Sequence, residues 1–190
     1  MRKHEVLNTS RHSDYVVDIE NLNSINTLFT KTGQVDAIIC AAGNASFGAF
    51  STLTEDQFNL GIKSKLMGQV NVRREGLGKL KPKGVIILTG GTLAHDPWPE
   101  TTNIAMVNAA LEGFVKALAL ELTEGRRILV VHPPLIKETA EMMRMDGNQY
   151  PSASEVAGTY LQGLESNENG RLFMQQTINH SISNKYNLNI

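Results

Sequence analysis

The chain has 190 residues with 18 basic and 19 acidic side chains, and this net charge of −1 gives no electrostatic case for nucleic acid or an anionic membrane face. No apolar run approaches the roughly 18 residues that a membrane-spanning helix needs. The stretch Met1 to Glu5 lacks a signal-peptide core, and the single cysteine, Cys40, rules out an internal disulfide and argues against a thiolate zinc cluster. A cytoplasmic chain of one domain is expected, with small molecules or proteins as partners.

In chain order, Glu5-Val6-Leu7 reads as a short strand running into the polar loop Asn8 to Asp14, and Tyr15 to Ile19 as a second extended segment. A helix is expected from about Asn21 to Thr32, with Leu22, Ile25, Leu28 and Phe29 on one face and Gly33 as its stop. Val35 to Ala42 has the composition of a buried strand with Cys40 as a structural thiol, and the small-residue loop Gly43 to Gly48 follows. Thr54-Glu55-Asp56-Gln57 is a capping box for a long helix through Phe58, Ile62, Leu66 and Val70 to about Leu80, broken by Pro82 and Gly84.

Val85 to Thr89 has no polar interruption before its last residue and reads as a central parallel strand covered on both faces. Ile104, Val107, Leu111, Phe114, Val115, Leu118 and Leu122 recur at three- and four-residue steps, so one helical stripe faces the sheet, with Gly125 as the stop. Ile128 to Val131 is the next strand, ended by Pro133-Pro134. A helix over Thr139 to Met145, another opening at Ser154 and a last strand over Gly170 to Met174 complete the pattern. Residues 1–174 are read as one α/β domain with an open, mostly parallel sheet, and the Asn-, Ser- and Gln-rich stretch 175–190 as a loose polar tail.

Four local patterns resemble the short-chain dehydrogenase/reductase family. They are Asp18-Ile19; the strand Asp36 to Gly43, similar to the family's D-x-x-x-N-N-A-G; the strand ending Leu88-Thr89-Gly90; and Asn108 to Phe114 with Ala117 to Leu122. The resemblance spans about residues 5–174 and is closest to a small divergent subgroup. It implies a Rossmann-type, doubly wound sheet of seven strands, a nicotinamide dinucleotide, and hydride transfer involving a small carbonyl or alcohol substrate. It carries over Asp18, Ile19, Ala41, Ala42, Gly43 and Pro133 as cofactor contacts, and homo-oligomers that pair through the two long helices.

Two departures qualify the resemblance. The family's first strand and Gly-rich phosphate turn have no counterpart before Glu5, and neither Gly43 to Gly48 nor Gly76-Leu77-Gly78 supplies strand, turn and helix in the required order. In the implied fold that strand lies mid-sheet, so the expectation is an N-terminally truncated chain whose sheet is cut in two and whose cofactor binding and turnover are weak or absent. The family's proton-donating Tyr and its Lys align with Ile104 and Asn108, and its Ser with Gly90 or Gly91. Neither an isoleucine nor an uncharged amide replaces that chemistry.

The remaining candidates are weighed against plainer readings. Lys65 can aim its ammonium into the vacated place, or face solvent; it also stands where the family's helix Asn is expected. His95 can act as an acid above the site, or be a loop histidine bonded to Asp96 or the backbone. Thr89 can offer a hydroxyl, or reflect β propensity. Arg11 resembles the arginine that binds a 2′-phosphate, favouring NADP over NAD, or is a solvated loop residue. Tyr150 and Tyr160 lack a lysine four residues on, and the Met142, Met143 and Met145 cluster reads as adaptable packing. A non-catalytic relative that binds a nucleotide or a protein through the same face remains the second reading.

Overall fold

The aliphatic runs Val85 to Thr89 and Ile128 to Val131 lie side by side in parallel register, Ile86 opposite Ile128 and Leu88 opposite Val130, in a computed structural model that describes residues 4–175. In chain order, β1 (Thr9–Ser10) and β2 (Tyr15–Val16) form a two-residue ladder of their own. Helix α1 (Leu22–Thr32) starts where the Asn21 side chain accepts the Asn23 and Ser24 N–H groups, buries Ile25, Leu28 and Phe29, and stops at Gly33, whose φ of 70° suits glycine. Strand β3 (Val35–Cys40) follows. Helix α2 (Glu55–Leu60) opens on the Thr54/Gln57 capping box and continues through a π-helical stretch, Gly61–Gly68, into α3 (Gln69–Gly76). Strand β4 (Leu80–Thr89), helix α4 (Thr102–Leu118), strand β5 (Arg127–His132), helices α5 (Lys137–Met142) and α6 (Ala153–Glu165), and strand β6 (Arg171–Met174) complete the order.

The main sheet runs β3-β4-β5-β6, all parallel. Alternation along the strands divides the core. Ile86, Leu88, Ile128 and Val130 pack with Leu111 and Val115 of α4 and with Ile25 and Phe29 of α1. Val85, Ile87, Leu129 and Val131 face Tyr160 and Leu164 of α6. Each such side chain contributes roughly 1.5 to 3 kcal/mol on burial.

Several elements depart from the sequence reading. Glu5-Val6-Leu7 forms no strand and Val6 is exposed, because an extended segment needs a neighbour to pair with and among the described residues none is paired with it. The implied sheet of seven strands is four strands plus a separate pair among the described residues. The long helix is interrupted by its π stretch, a rare geometry concentrated at functional or strained positions. Strand β4 begins at Leu80 and absorbs Pro82 and Gly84 in an irregular stretch, where the register against β3 jumps between Val35/Leu80 and Ala37/Val85. Helix α4 ends at Leu118, and Gly125 serves the later turn at φ 69°. Helix α5 starts and ends earlier than read. Residues 176–190 of the polar tail lie outside the described residues.

One side chain extends the sheet. Strand β3 ends at Cys40 opposite Leu88, which leaves the main chain of Thr89 without a strand partner on that side. The fully buried Gln69 amide takes that place: Oε1 accepts the Thr89 N–H at 2.8 Å and Nε2 donates to the Thr89 carbonyl at 2.8 Å. Leucine at this position leaves two main-chain groups unsatisfied at about 1 to 3 kcal/mol each. The expected result for Gln69→Leu is a lower denaturant midpoint at unchanged m value, equivalent to about 2 to 6 kcal/mol.

Candidate active site

The carboxyl ends of β3, β4 and β5 open onto one region, the place where open α/β sheets carry ligands. After β3 the chain crosses directly over the π stretch: a Cβ on Gly43, whose φ is 124°, would stand 2.7 Å from the Lys65 Cα. Gly43 is thereby held against Lys65, Ala41 and Ala42 before it are exposed, and the Asn44 N–H donates to Ser64 Oγ at 3.1 Å. Burial pulls the Lys65 ammonium down to a pKa of about 8, opposed by attraction to Cys40. The same burial pushes the Cys40 thiol up, so Cys40 stays protonated, as its structural reading requires.

After β4, Gly90 and Gly91 leave room that neighbouring elements fill. A Cβ on Gly90 would overlap the His132 imidazole, and one on Gly91 would lie 2.7 Å from Asn108 Nδ2. A serine at either position therefore conflicts with His132 or Asn108. Asn108 is buried with its Oδ1 lacking a hydrogen-bond partner, and its amide nitrogen reaches the strand end.

One helical turn beyond Asn108, the buried Glu112 gathers three basic groups. His95 Nε2 lies 2.5 Å from Glu112 Oε1, His132 Nδ1 lies 3.7 Å from the same oxygen, and Lys116 Nζ lies 3.5 Å from Oε2. His132 is fully buried, and its ring lies against the Gly90 and Gly91 main chain. Burial pushes its pKa down to about 4 despite the pull of Glu112, which leaves the ring neutral at pH 7.

Not every residue singled out from the sequence converges here. The Thr89 hydroxyl pairs with Tyr160 Oη at 2.8 Å, on the α6 face of the sheet and away from α4. His95 directs its Nε2 to Glu112. Asp18 Oδ1 accepts the Glu20 N–H at 3.0 Å, and Ile19 packs on Gly68. Arg11 is exposed between β1 and β2, and the Pro133 carbonyl accepts the Thr92 N–H at 3.0 Å. Sequence reasoning missed Glu112, His132 and Gln69. Glu112 was detectable as an acid four residues after Asn108 beside the apolar stripe. His132 was detectable as the next residue in phase with Ile128 and Val130.

The family model described as enoyl-(acyl carrier protein) reductase matches residues 3–163. The chain belongs to the short-chain dehydrogenase/reductase family. A short-chain dehydrogenase/reductase of Pestalotiopsis microspora is 29% identical over 119 residues, 62% of this chain and 44% of that one. The 3-oxoacyl-(acyl-carrier-protein) reductase FabG of Rickettsia typhi is 26% identical over 142 residues, 72% and 59% of the two chains. The match thus spans less than two thirds of these curated relatives. Among solved structures, lin1944 from Listeria innocua is similar at a TM-score of 0.86 with 33% identity, over 92% of this chain and 89% of that one. A small-chain dehydrogenase in complex with NADPH is similar at 0.78 with 25% identity, over 87% and 88%. In this short-chain dehydrogenase/reductase no helix among the described residues is long and apolar enough to cross a membrane.

Two predictions follow from the packing and the charge. Gly90→Ser lowers stability by about 1 to 3 kcal/mol through overpacking, and adding His132→Ala to it recovers part of that loss. The coupling is read from denaturant unfolding of both singles and the double. The folded-state pKa of Lys65 lies below its unfolded value of 10.5, so the unfolded chain binds the proton more tightly and stability rises with pH between about 8 and 10.5. Lys65→Met is therefore more stable than wild type at pH 7, by about 1 to 3 kcal/mol, and the gap closes across that window in paired unfolding curves.

Proposed function

We propose that this chain is an NADP-linked oxidoreductase interconverting a small-molecule carbonyl and alcohol in the cytoplasm, with Lys65 delivering the proton that a tyrosine delivers elsewhere in the family. The observation that carries the reading is the Lys65 ammonium, packed beside the end of β3 and drawn down to a pKa of about 8. A donor whose pKa lies near the working pH is half-protonated when needed and gives its proton readily. Groups near it that bear on its charge are Cys40 and His132.

The residues present suit the two ends of a nicotinamide dinucleotide. Asp18 offers a carboxylate to an exocyclic amino group, Ile19 an apolar contact, and exposed Arg11 a cation to a 2′-phosphate, with NAD the alternative cofactor. Ala41, Ala42, Gly43 and Pro133 offer main chain at the strand ends, where close approach is possible because Gly43 bears no side chain. When bound, the cofactor supplies the hydride. Lys65 donates a proton to the substrate oxygen, and Asn108 offers an amide at the position where the family places a lysine. The reading takes residues 1–174 as the working domain, with self-association through the long helices.

A second reading, a nucleotide-binding relative without turnover, is favoured by Ile104 and by the buried, uncharged Asn108. Titration of NADPH fluorescence followed by a carbonyl panel separates the two. Oxidation of NADPH that falls about 100-fold or more in kcat for Lys65→Met supports the enzyme. Binding without oxidation supports the second reading, and absence of binding by folded protein overturns both.

A further inference from the structure

We propose that His95, Glu112 and His132 form a binding site for one divalent transition-metal ion of the zinc class. Their donor atoms come from three separate elements, the loop after β4, helix α4 and the end of β5, and all lie within 4.8 Å of one another. Two imidazoles and one carboxylate form a donor set that suits zinc and its neighbours in the first transition row.

The decisive group is His132. It has no exposed surface, its ring lies against the Gly90 and Gly91 main chain, and its Nδ1 faces Glu112 Oε1 at 3.7 Å, beyond hydrogen-bond distance. A buried ring nitrogen without a partner is rare in folded proteins and calls for an explanation, an ion being one.

The geometry is close to what a metal requires. Ligand bonds of about 2.0 to 2.2 Å set donor atoms roughly 3.3 Å apart around a tetrahedral ion. The observed 2.5 Å for His95 with Glu112 and 3.7 Å for His132 with Glu112 bracket that spacing. The His95 side chain is 43% exposed at the mouth of the cluster and is the member free to retreat. Lys116 Nζ, 3.5 Å from the other Glu112 oxygen, holds the carboxylate in orientation as an outer partner does. Three protein ligands would leave a fourth position for water or another ligand.

The test uses the untagged full chain, stripped with chelator, because a histidine tag would itself bind the probe. Zinc is titrated calorimetrically and cobalt by its visible absorption, with thermal unfolding in parallel. The expected result is one equivalent bound, a higher melting temperature, and affinity weakened about tenfold or more in His95→Ala, Glu112→Gln and His132→Ala. The exposed His95 and the isosteric Glu112→Gln keep the test informative if His132→Ala fails to fold. Absence of one-to-one binding overturns the proposal, as does affinity unchanged by His95→Ala and Glu112→Gln. Binding abolished by Cys40→Ser, which would place the metal on the thiol, overturns it as well.

Discussion

The end of β4 is governed by an exclusion of volume. Gly90 and Gly91 present bare main chain, and the space their side chains would take is filled by the His132 ring from β5 and the Asn108 amide from α4. Close-packed interiors do not allow both occupants. The residue types at 90, 91, 108 and 132 are therefore one linked choice, and the absence of a serine at the strand end has a structural counterpart in the two side chains that replace it. The same choice brings His132 Nδ1 to 3.7 Å from Glu112 Oε1.

Lys65 rests on a second close contact. The crossing of Gly43 over its Cα and the π stretch beneath it keep the residue against the strand ends, where desolvation sets its proton affinity. Around this region sit two opposite electrostatic situations: Lys65 is a cation whose charge is made costly by burial, and Glu112 is an anion surrounded by basic groups. The proton chemistry proposed for one and the metal chemistry proposed for the other use different elements and meet at His132, which feels the charges of both Glu112 and Lys65.

The parallel sheet was legible because its strands lack polar interruptions and its helices repeat at three and four residues. Val85 to Thr89, Ile128 to Val131 and the stripe through Leu111 and Val115 needed no tertiary information. The strand expected at Glu5 failed for a reason outside local sequence, since pairing depends on what lies alongside. The π stretch was invisible because Phe58, Ile62 and Leu66 satisfy an ordinary helical period equally well. At the candidate site, Lys65 and Asn108 were singled out by alignment to family motifs. Glu112 and His132 were missed because each belongs to an apolar element and gains meaning only when helix and strand are brought together. The partner of the Thr89 hydroxyl was not legible from position alone; the alternation of β4 turns it to Tyr160.

Gln69 stands in for a residue that β3 does not supply, and its amide also donates to the Lys65 carbonyl at 3.1 Å. A single side chain thus rivets the π turn to the terminus of the central strand. A shift of the Lys65 main chain is passed through this rivet to Thr89, next to the paired glycines. The Lys65 turn and the Gly90-Gly91 strand end are thereby tied into one mechanical unit.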